Sequence, residues 1–368
     1  MHCKHFGVCG GCTLPGVPYA EQLATKRRDL SRLLGIEVLP LIPSPSESGF
    51  RSKVSFVFAN AVMGHYALKS QRVIPIDECP VHHERGNRIA FALESVFARF
   101  ARSGGPGSIR ALLRHVIIRT TRDGGQATAM LVVARNDKAL RAPVRKFLAS
   151  AERPDGFFLN IHDTSGPYMV GEETIKIEGR SHVKEVVAGM SYLVSPTAFF
   201  QTNVGAAAHL VELVLDETKS SERVLDLYCG SGLFSLQIAR AGAKVTAVEE
   251  NRQAIADAEA NVRLNRMLPG QIRFMAARVE DAVFRVARDP WDAVVLDPPR
   301  QGCPAEVLSA VFEQIRPVKV VYVSCNPNAL AEELPGILNT GYRVTLVQPV
   351  DMFPHTDHIE TVMAFTRQ

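Results

Sequence analysis

The sequence predicts an α/β protein with two parts: a Rossmann-like domain over residues 196–368, preceded by an α+β domain over residues 1–195 that opens on a cysteine-rich loop. Three observations predict it. From about residue 203, apolar strand-like runs alternate with helical stretches, the rhythm of a parallel sheet with helices on both faces. Residues 50–195 instead carry short β-rich runs between turn signals. The length, 368 residues, exceeds the roughly 100–200 of a single domain.

Taken in order, residues 1–16 are dense in Cys and Gly and read as a ligand-binding loop. Residues 19–34 place Leu23, Leu30, Leu33 and Leu34 among charges, the spacing of an amphipathic helix. Strands are expected at Val54–Phe58, Val116–Arg119, Ala127–Val133 and Phe157–Ile161, with a turn at Asp123-Gly124-Gly125 and one long helix over about 86–102. Just before Pro196 the rhythm changes, and the boundary is placed near residue 195. A helix over Ala206–Glu217 precedes the strand Val224–Leu227, a glycine turn and another helix. Then come the strand Lys244–Val248, the helix Gln253–Asn265, and strands near 272–275, 292–296, Val318–Val323, 342–348 and 359–366.

Hydrophobic residues make up 46% and charged residues 22%, the balance of a water-soluble globular chain. No stretch approaches the roughly 20 apolar residues of a membrane span. The start, Met1-His2-Cys3-Lys4-His5, lacks the apolar core of a secretory signal. A cytoplasmic chain with reduced cysteines is therefore expected, off the membrane and acting as a monomer. Net charge is +4, unevenly spread: residues 1–200 hold 26 Lys and Arg against 17 Asp and Glu, a balance of +9, and the remainder balances at −5. A basic first half suits a polyanion such as nucleic acid.

Asp226-Leu227-Tyr228-Cys229-Gly230-Ser231-Gly232 sits where the first strand of the second domain ends and a helix begins. Glycines there allow a sharp turn and close approach of backbone to a ligand. Glu249 ends the next strand, where an acidic side chain can accept hydrogen bonds from both ribose hydroxyls. The G-x-G-x-x-G cradle of a pyrophosphate is missing, which points to a ligand with ribose but no pyrophosphate: S-adenosylmethionine. Asp297-Pro298-Pro299-Arg300 follows the run Ala293–Leu296, and its two prolines stiffen the loop that presents Asp297.

Ser324-Cys325-Asn326-Pro327 follows the apolar run Val318–Val323, and Asp351 through Glu360 precede the last strand. Three strand ends thus offer Asp297, Cys325 and Glu360 to one cleft. A lone cysteine there is more often a small buried hydrophobe, but this set fits chemistry at carbon 5 of a pyrimidine. That carbon is too weak a nucleophile to take a methyl group unaided. A thiolate adding at carbon 6 makes it enolate-like, and a base must then remove the carbon-5 proton. The target base has to be flipped out of its stack. At the other end, Cys3, Cys9 and Cys12 are followed by Cys79-Pro80, and four thiolates there could bind zinc or an iron–sulfur cluster.

Together these stretches resemble the bacterial and archaeal RNA uracil-5-methyltransferases over essentially the whole chain. The most specific are Ser195–Asn203, Asp226–Gly232, Asp297–Gly302, Ser324–Asn326 and Asp351–Glu360. The resemblance implies Cys325 as nucleophile and Glu360 as proton-abstracting base. It implies Gln201, Tyr228, Glu249 and Asp297 as contacts to S-adenosylmethionine, and Phe199 as an aromatic against the flipped base. It also implies a [4Fe-4S] cluster on Cys3, Cys9, Cys12 and Cys79. Leu233 stands where some relatives carry a polar residue, and the loop Ala276–Asp281 offers no clear adenine contact. The short layout resembles enzymes acting on a hairpin-loop uridine near position 747 of large-subunit ribosomal RNA, with transfer RNA position 54 as the alternative. An amino-directed RNA methyltransferase would need neither Cys325 nor Glu360. A cytosine-5 enzyme would present a Pro-Cys pair, and a plain RNA-binding module would need none of these groups.

Overall fold

A computed structural model describes residues 2–14, 16–101, 109–164 and 169–368. The chain divides into two compact units: Met1–Gly16, Ser46–Glu185 and Leu193–Thr197 form the first, and Val17–Pro45, Val186–Tyr192 and Ala198–Gln368 the second. The single division expected near residue 195 is thus an interleaved path. The largest departure is helix α1 (Tyr19–Leu34), which belongs to the second unit. Its Leu30 and Leu34, with Val38 and Leu41 beyond it, are buried in that unit's core, whereas Leu33 is exposed.

The first unit is built on a seven-stranded sheet of β1 (Lys53–Ala59), β2 (Val62–Tyr66), β3 (Val73–Pro75), β4 (Leu113–Thr120), β5 (Ala127–Val133), β6 (Gly156–Ile161) and β7 (Glu173–Gly179), in the order β3-β2-β1-β4-β5-β6-β7. Only β5 and β6 run parallel, joined by a crossover that contains α4 (Arg141–Leu148). Helix α2 (Glu84–Ala101) and the short α3 (Ile109–Leu112) precede β4. The helix end expected at 102 lies outside the described residues. Alternation along β1 buries Val54, Phe56 and Phe58 against Ile89, Leu93 and Phe97, spaced four apart on α2. Gly86 permits this packing, because a Cβ there would come 2.6 Å from Val54. Strands β8 (Val183–Val187) and β9 (Met190–Val194) form a separate ribbon closed by Ala188 (φ 46°) and Gly189 (φ 75°), the positive pair of a tight hairpin.

The second unit holds α5 (Val204–Thr218), β10 (Arg223–Leu227), α6 (Leu233–Arg240), β11 (Lys244–Glu249), α7 (Arg252–Leu264), β12 (Ile272–Ala276), α8 (Val279–Val286), β13 (Ala293–Leu296), α9 (Ala305–Ser309), β14 (Lys319–Ser324), α10 (Pro327–Asn339), β15 (Tyr342–Val350) and β16 (Glu360–Arg367). The strand order is β12-β11-β10-β13-β14-β16-β15. The first five are parallel, and continuous burial along β10, β13 and β14 reflects helices on both faces. The last strand departs from the all-parallel expectation. No helix separates β15 from β16, so they pair antiparallel, and β16 inserts antiparallel beside β14. Among the described residues no helix is long and apolar enough to cross a membrane.

Candidate active site

The carboxyl ends of β10, β11, β13 and β14 lie side by side in register: Leu227 pairs with Val248 and Leu296, and Leu296 with Tyr322. The next residues therefore converge at one edge. Asp297 donates its backbone N–H to Leu227 O at 3.3 Å. The turn after β10 needs left-handed backbone at Tyr228 (φ 66°), Gly230 (53°) and Gly232 (85°). Glu249 fixes this turn from β11: one carboxylate oxygen accepts from Gly230 N at 3.1 Å and the other from Asn251 N at 2.8 Å.

Electrostatically the edge is rich in acceptors. Asp226 is fully buried. One of its oxygens accepts from the Ser235 hydroxyl, and Oδ1 has no hydrogen-bond partner. Burial pushes its carboxyl up to about 7. Asp297 is pushed up to about 8 by burial and by the charges of Asp226 and Glu249. Three crowded carboxyls beside a turn that carries two glycines are poised for a ligand with ribose hydroxyls and positive charge. S-adenosylmethionine has both, so the residues present fit it.

Cys325 comes from the same edge. Ser324 pairs with Thr361 across β14 and β16, and continuing that antiparallel register sets Cys325 opposite Glu360. Ser324 donates its hydroxyl to Asn326 O at 3.0 Å. Asn326 caps α10 through Asn328 N at 3.1 Å and donates its side-chain amide to Arg300 O at 2.8 Å. Cys325 is half-buried. Its thiol is pushed up to about 11 by burial and by the charges of Glu360 and Asp297, which Arg300 partly offsets. Glu360, 4% exposed, is pushed up to about 8 by burial and Asp297, again with Arg300 opposing. Arg300 thus places a positive charge near both Cys325 and Glu360, a role the sequence reading did not assign. Its signal was its place directly after the stiff Pro298-Pro299 pair.

Phe199 is 68% exposed. Gln201 is buried, two residues ahead of Asn203, whose side chain accepts from Ala206 N at 3.1 Å and so caps α5. Cys229 and Cys303 are buried, and no disulfide forms.

The four amino-terminal cysteines all fall in the first unit, each half-buried. The loop is stitched to β2 and its following turn: Gly10 N donates to Tyr66 O and Leu68 N to Val8 O, both at 2.9 Å. The sulfurs lie close enough to repel one another's charge, Cys12 sensing Cys9 and Cys3, and Cys79 sensing Cys12. Gly11 N donates to Cys9 Sγ at 3.3 Å, and the amides of Val81 and His82 stabilise the Cys79 thiolate. Burial pushes Cys12 up to about 11 and Cys79 up to about 12, while Arg51 acts in the opposite sense on both. The sequence reading missed two neighbours: His65 and His82 place ring nitrogens within 4.8 Å of each other and of Cys79 Sγ.

The glycine turn and the acidic strand ends, on a sheet whose first five strands run parallel, are those of an S-adenosylmethionine-dependent methyltransferase. The family model described as tRNA (Uracil-5-)-methyltransferase matches residues 172–368. The chain is 33% identical to an uncharacterized RNA methyltransferase of Geobacter sulfurreducens, covering 100% of this chain and 77% of that one. It is 32% identical to another of Thermosynechococcus vestitus, covering 97% and 82%. Among solved structures, the Pyrococcus abyssi tRNA (uracil-54, C5)-methyltransferase in complex with S-adenosyl-L-homocysteine superposes with a TM-score of 0.82 at 27% identity, covering 98% of this chain and 86% of that one. The chain belongs to the RNA uracil-5-methyltransferase family.

Proposed function

We propose that this protein methylates carbon 5 of a uridine in structured RNA through a transient covalent bond from Cys325. The observation that carries the reading is the β14–β16 register, which sets a thiol and a buried carboxyl side by side at the cofactor edge. S-adenosylmethionine, held through Gln201, Tyr228, Glu249 and Asp297, supplies an electrophilic methyl group. The chain's own part is to make carbon 5 reactive and then restore the ring. Cys325 as thiolate adds to carbon 6, Phe199 stacks on the extruded base, and Glu360 takes the carbon-5 proton once the methyl is in place. The electrons of the C5–H bond then reform the ring double bond and expel the thiolate.

Loss of Glu360 should spare addition and methyl transfer. Glu360→Gln should accumulate methylated RNA bound through Cys325, visible as a shifted band on a denaturing gel. Cys325→Ala should show no band and no product. Wild-type turnover by Glu360→Gln, or product from Cys325→Ala, contradicts the covalent route.

The reading extends to a [4Fe-4S] cluster on Cys3, Cys9, Cys12 and Cys79. Amide donors on two of the sulfurs and a guanidinium nearby suit a thiolate-rich, net anionic cluster. The same guanidinium opposes a divalent cation on His65, Cys79 and His82, since Arg51 disfavours charge on both histidines. The substrate proposed first is a hairpin-loop uridine of large-subunit ribosomal RNA, near position 747 by the family resemblance. Likeness to the Pyrococcus abyssi enzyme supports uridine 54 of transfer RNA as the second. Mass mapping of uridines in a deletion strain separates them.

A further inference from the structure

The loop between β15 and β16, residues 351–359, is built in an uncommon way. Loops normally run over the surface, where water satisfies their backbone. Here Asp351, Met352, Pro354, His355, Thr356 and Ile359 are all buried. Part of the backbone is satisfied within the loop, by Asp351 and Thr356 side chains, and part by side chains from elsewhere in the second unit. Lys26 Nζ, 3% exposed, donates to Asp351 Oδ1 at 2.7 Å, with Asp351 0% exposed. The same ammonium donates to Phe353 O at 3.2 Å. Gln22 Oε1 accepts from His355 N at 2.8 Å, and Gln22 Nε2 lies 3.2 Å from His355 Nδ1. Asn203 Nδ2 donates to Met352 O at 3.1 Å.

His355 is the key position. Its φ of 67° is left-handed, a conformation uncommon for non-glycine residues. The partner that holds its N–H is Gln22. Gln22 is itself fixed by donation to Val17 O at 2.8 Å, and it lies one turn ahead of Lys26 on the same face of α1. Glu360 begins β16 five residues after His355, so the path of this loop sets where the carboxyl emerges.

We propose that Gln22 and Lys26 are positioning residues for the base: α1 clamps the 351–359 loop so that Glu360 faces the carbon-5 proton. The proposal rests on the covalent reading above. A displacement of about 1 Å in a catalytic group costs on the order of 10²-fold in rate. The step lost should be the one Glu360 performs, and not cofactor binding or thiol addition.

The test uses Gln22→Met, which keeps volume and leaves no buried charge, and Lys26→Met beside it. Each full-length variant, checked for folding by circular dichroism, is mixed with S-adenosylmethionine and substrate RNA. Adduct formation and release are followed on denaturing gels, and S-adenosylhomocysteine affinity is measured by calorimetry. Expected for Gln22→Met are unchanged affinity, adduct formation near the wild-type rate, and release slowed at least about tenfold, so the shifted band accumulates. Lys26→Arg should restore release relative to Lys26→Met. Release at the wild-type rate in folded Gln22→Met overturns the proposal. So does a parallel fall in formation and release, which marks a merely structural role. Glu360→Gln is run alongside: if it traps nothing, the covalent reading fails and the proposal with it, whereas trapping by Glu360→Gln but not by Gln22→Met sinks the positioning role alone.

Discussion

Glu360 is held by its surroundings in the protonation state opposite to the one its proposed task needs. Burial and Asp297 raise its carboxyl from 4.5 to about 8, so near neutral pH it is largely protonated. Removal of the carbon-5 proton requires the carboxylate, and the rate of adduct release should therefore climb with pH through about 8. The same shift has a stability consequence. Between about 4.5 and 8 the folded chain keeps a proton that the unfolded chain has lost. The contribution is complete below 4.5 and disappears as pH rises through 8. Without ligand, Glu360→Gln should melt higher than wild type at pH 9, by a few degrees given about 2–4 °C per kcal/mol in a protein of this size. The gap should close at pH 5. A melting difference that is the same at both pH values would show that Glu360 is not buried as a titrating acid.

At the scale of elements, the cofactor turn makes a prediction that separates two glycines. Gly230 and Gly232 both have positive φ, but a Cβ at Gly230 meets nothing within 4 Å, whereas one at Gly232 overlaps Leu236 Cδ1. Gly230→Ala should cost only the left-handed backbone term, about 1–2 kcal/mol. Gly232→Ala adds a clash at the start of α6 and should cost more, with S-adenosylhomocysteine affinity falling in step. Denaturant midpoints and calorimetry on the two variants decide it, and equal losses would count against this account of the turn. Helix α1 shows where reading elements from sequence stops. Its amphipathic spacing was legible, and Leu30 and Leu34 are buried as that spacing requires. The buried face, however, is Gln22, Lys26, Leu30 and Leu34 at four-residue intervals. Hydrophobicity assigns a lysine to water. Lys26 is inside because its counter-charge, Asp351, arrives from 325 positions away.

For the whole molecule, the interleaved path assigns the amino-terminal loop to the first unit although residues 17–45, which follow it, belong to the second. Residues 2–14 are held to the first unit by backbone hydrogen bonds from Gly10 N to Tyr66 O and from Leu68 N to Val8 O and by Lys4 and His5 on Asp77, and a cluster would add to this cohesion. Protein purified without oxygen should be brown with about four irons per chain. Cys79→Ser should lose the metal and lower the melting transition of the first unit, since Cys79 packs against that unit's core. A colourless protein carrying one zinc would overturn the cluster.

The sequence by itself determined what depends on neighbouring residues. Periodicity gave the kind of α1, of β1, β4, β5 and β6, and of α5, β10, β11 and α7, while β2, β3 and β7 to β9 went unread. Glycines at 230 and 232 announced a sharp turn, prolines at 298 and 299 a stiff loop, and the strand ends named Glu249, Asp297 and Cys325. These features rest on local backbone preference and on side-chain patterns a few residues long. The tertiary structure decided what depends on pairing across the chain. It turned β16 antiparallel and so set Glu360 opposite Cys325, brought Cys79 to Cys12, and sent α1 to the second unit. It also raised Asp226, Asp297 and Glu360 into the range of 7 to 8. Register, burial and the field at a carboxyl come from groups tens to hundreds of positions away, which no local pattern encodes.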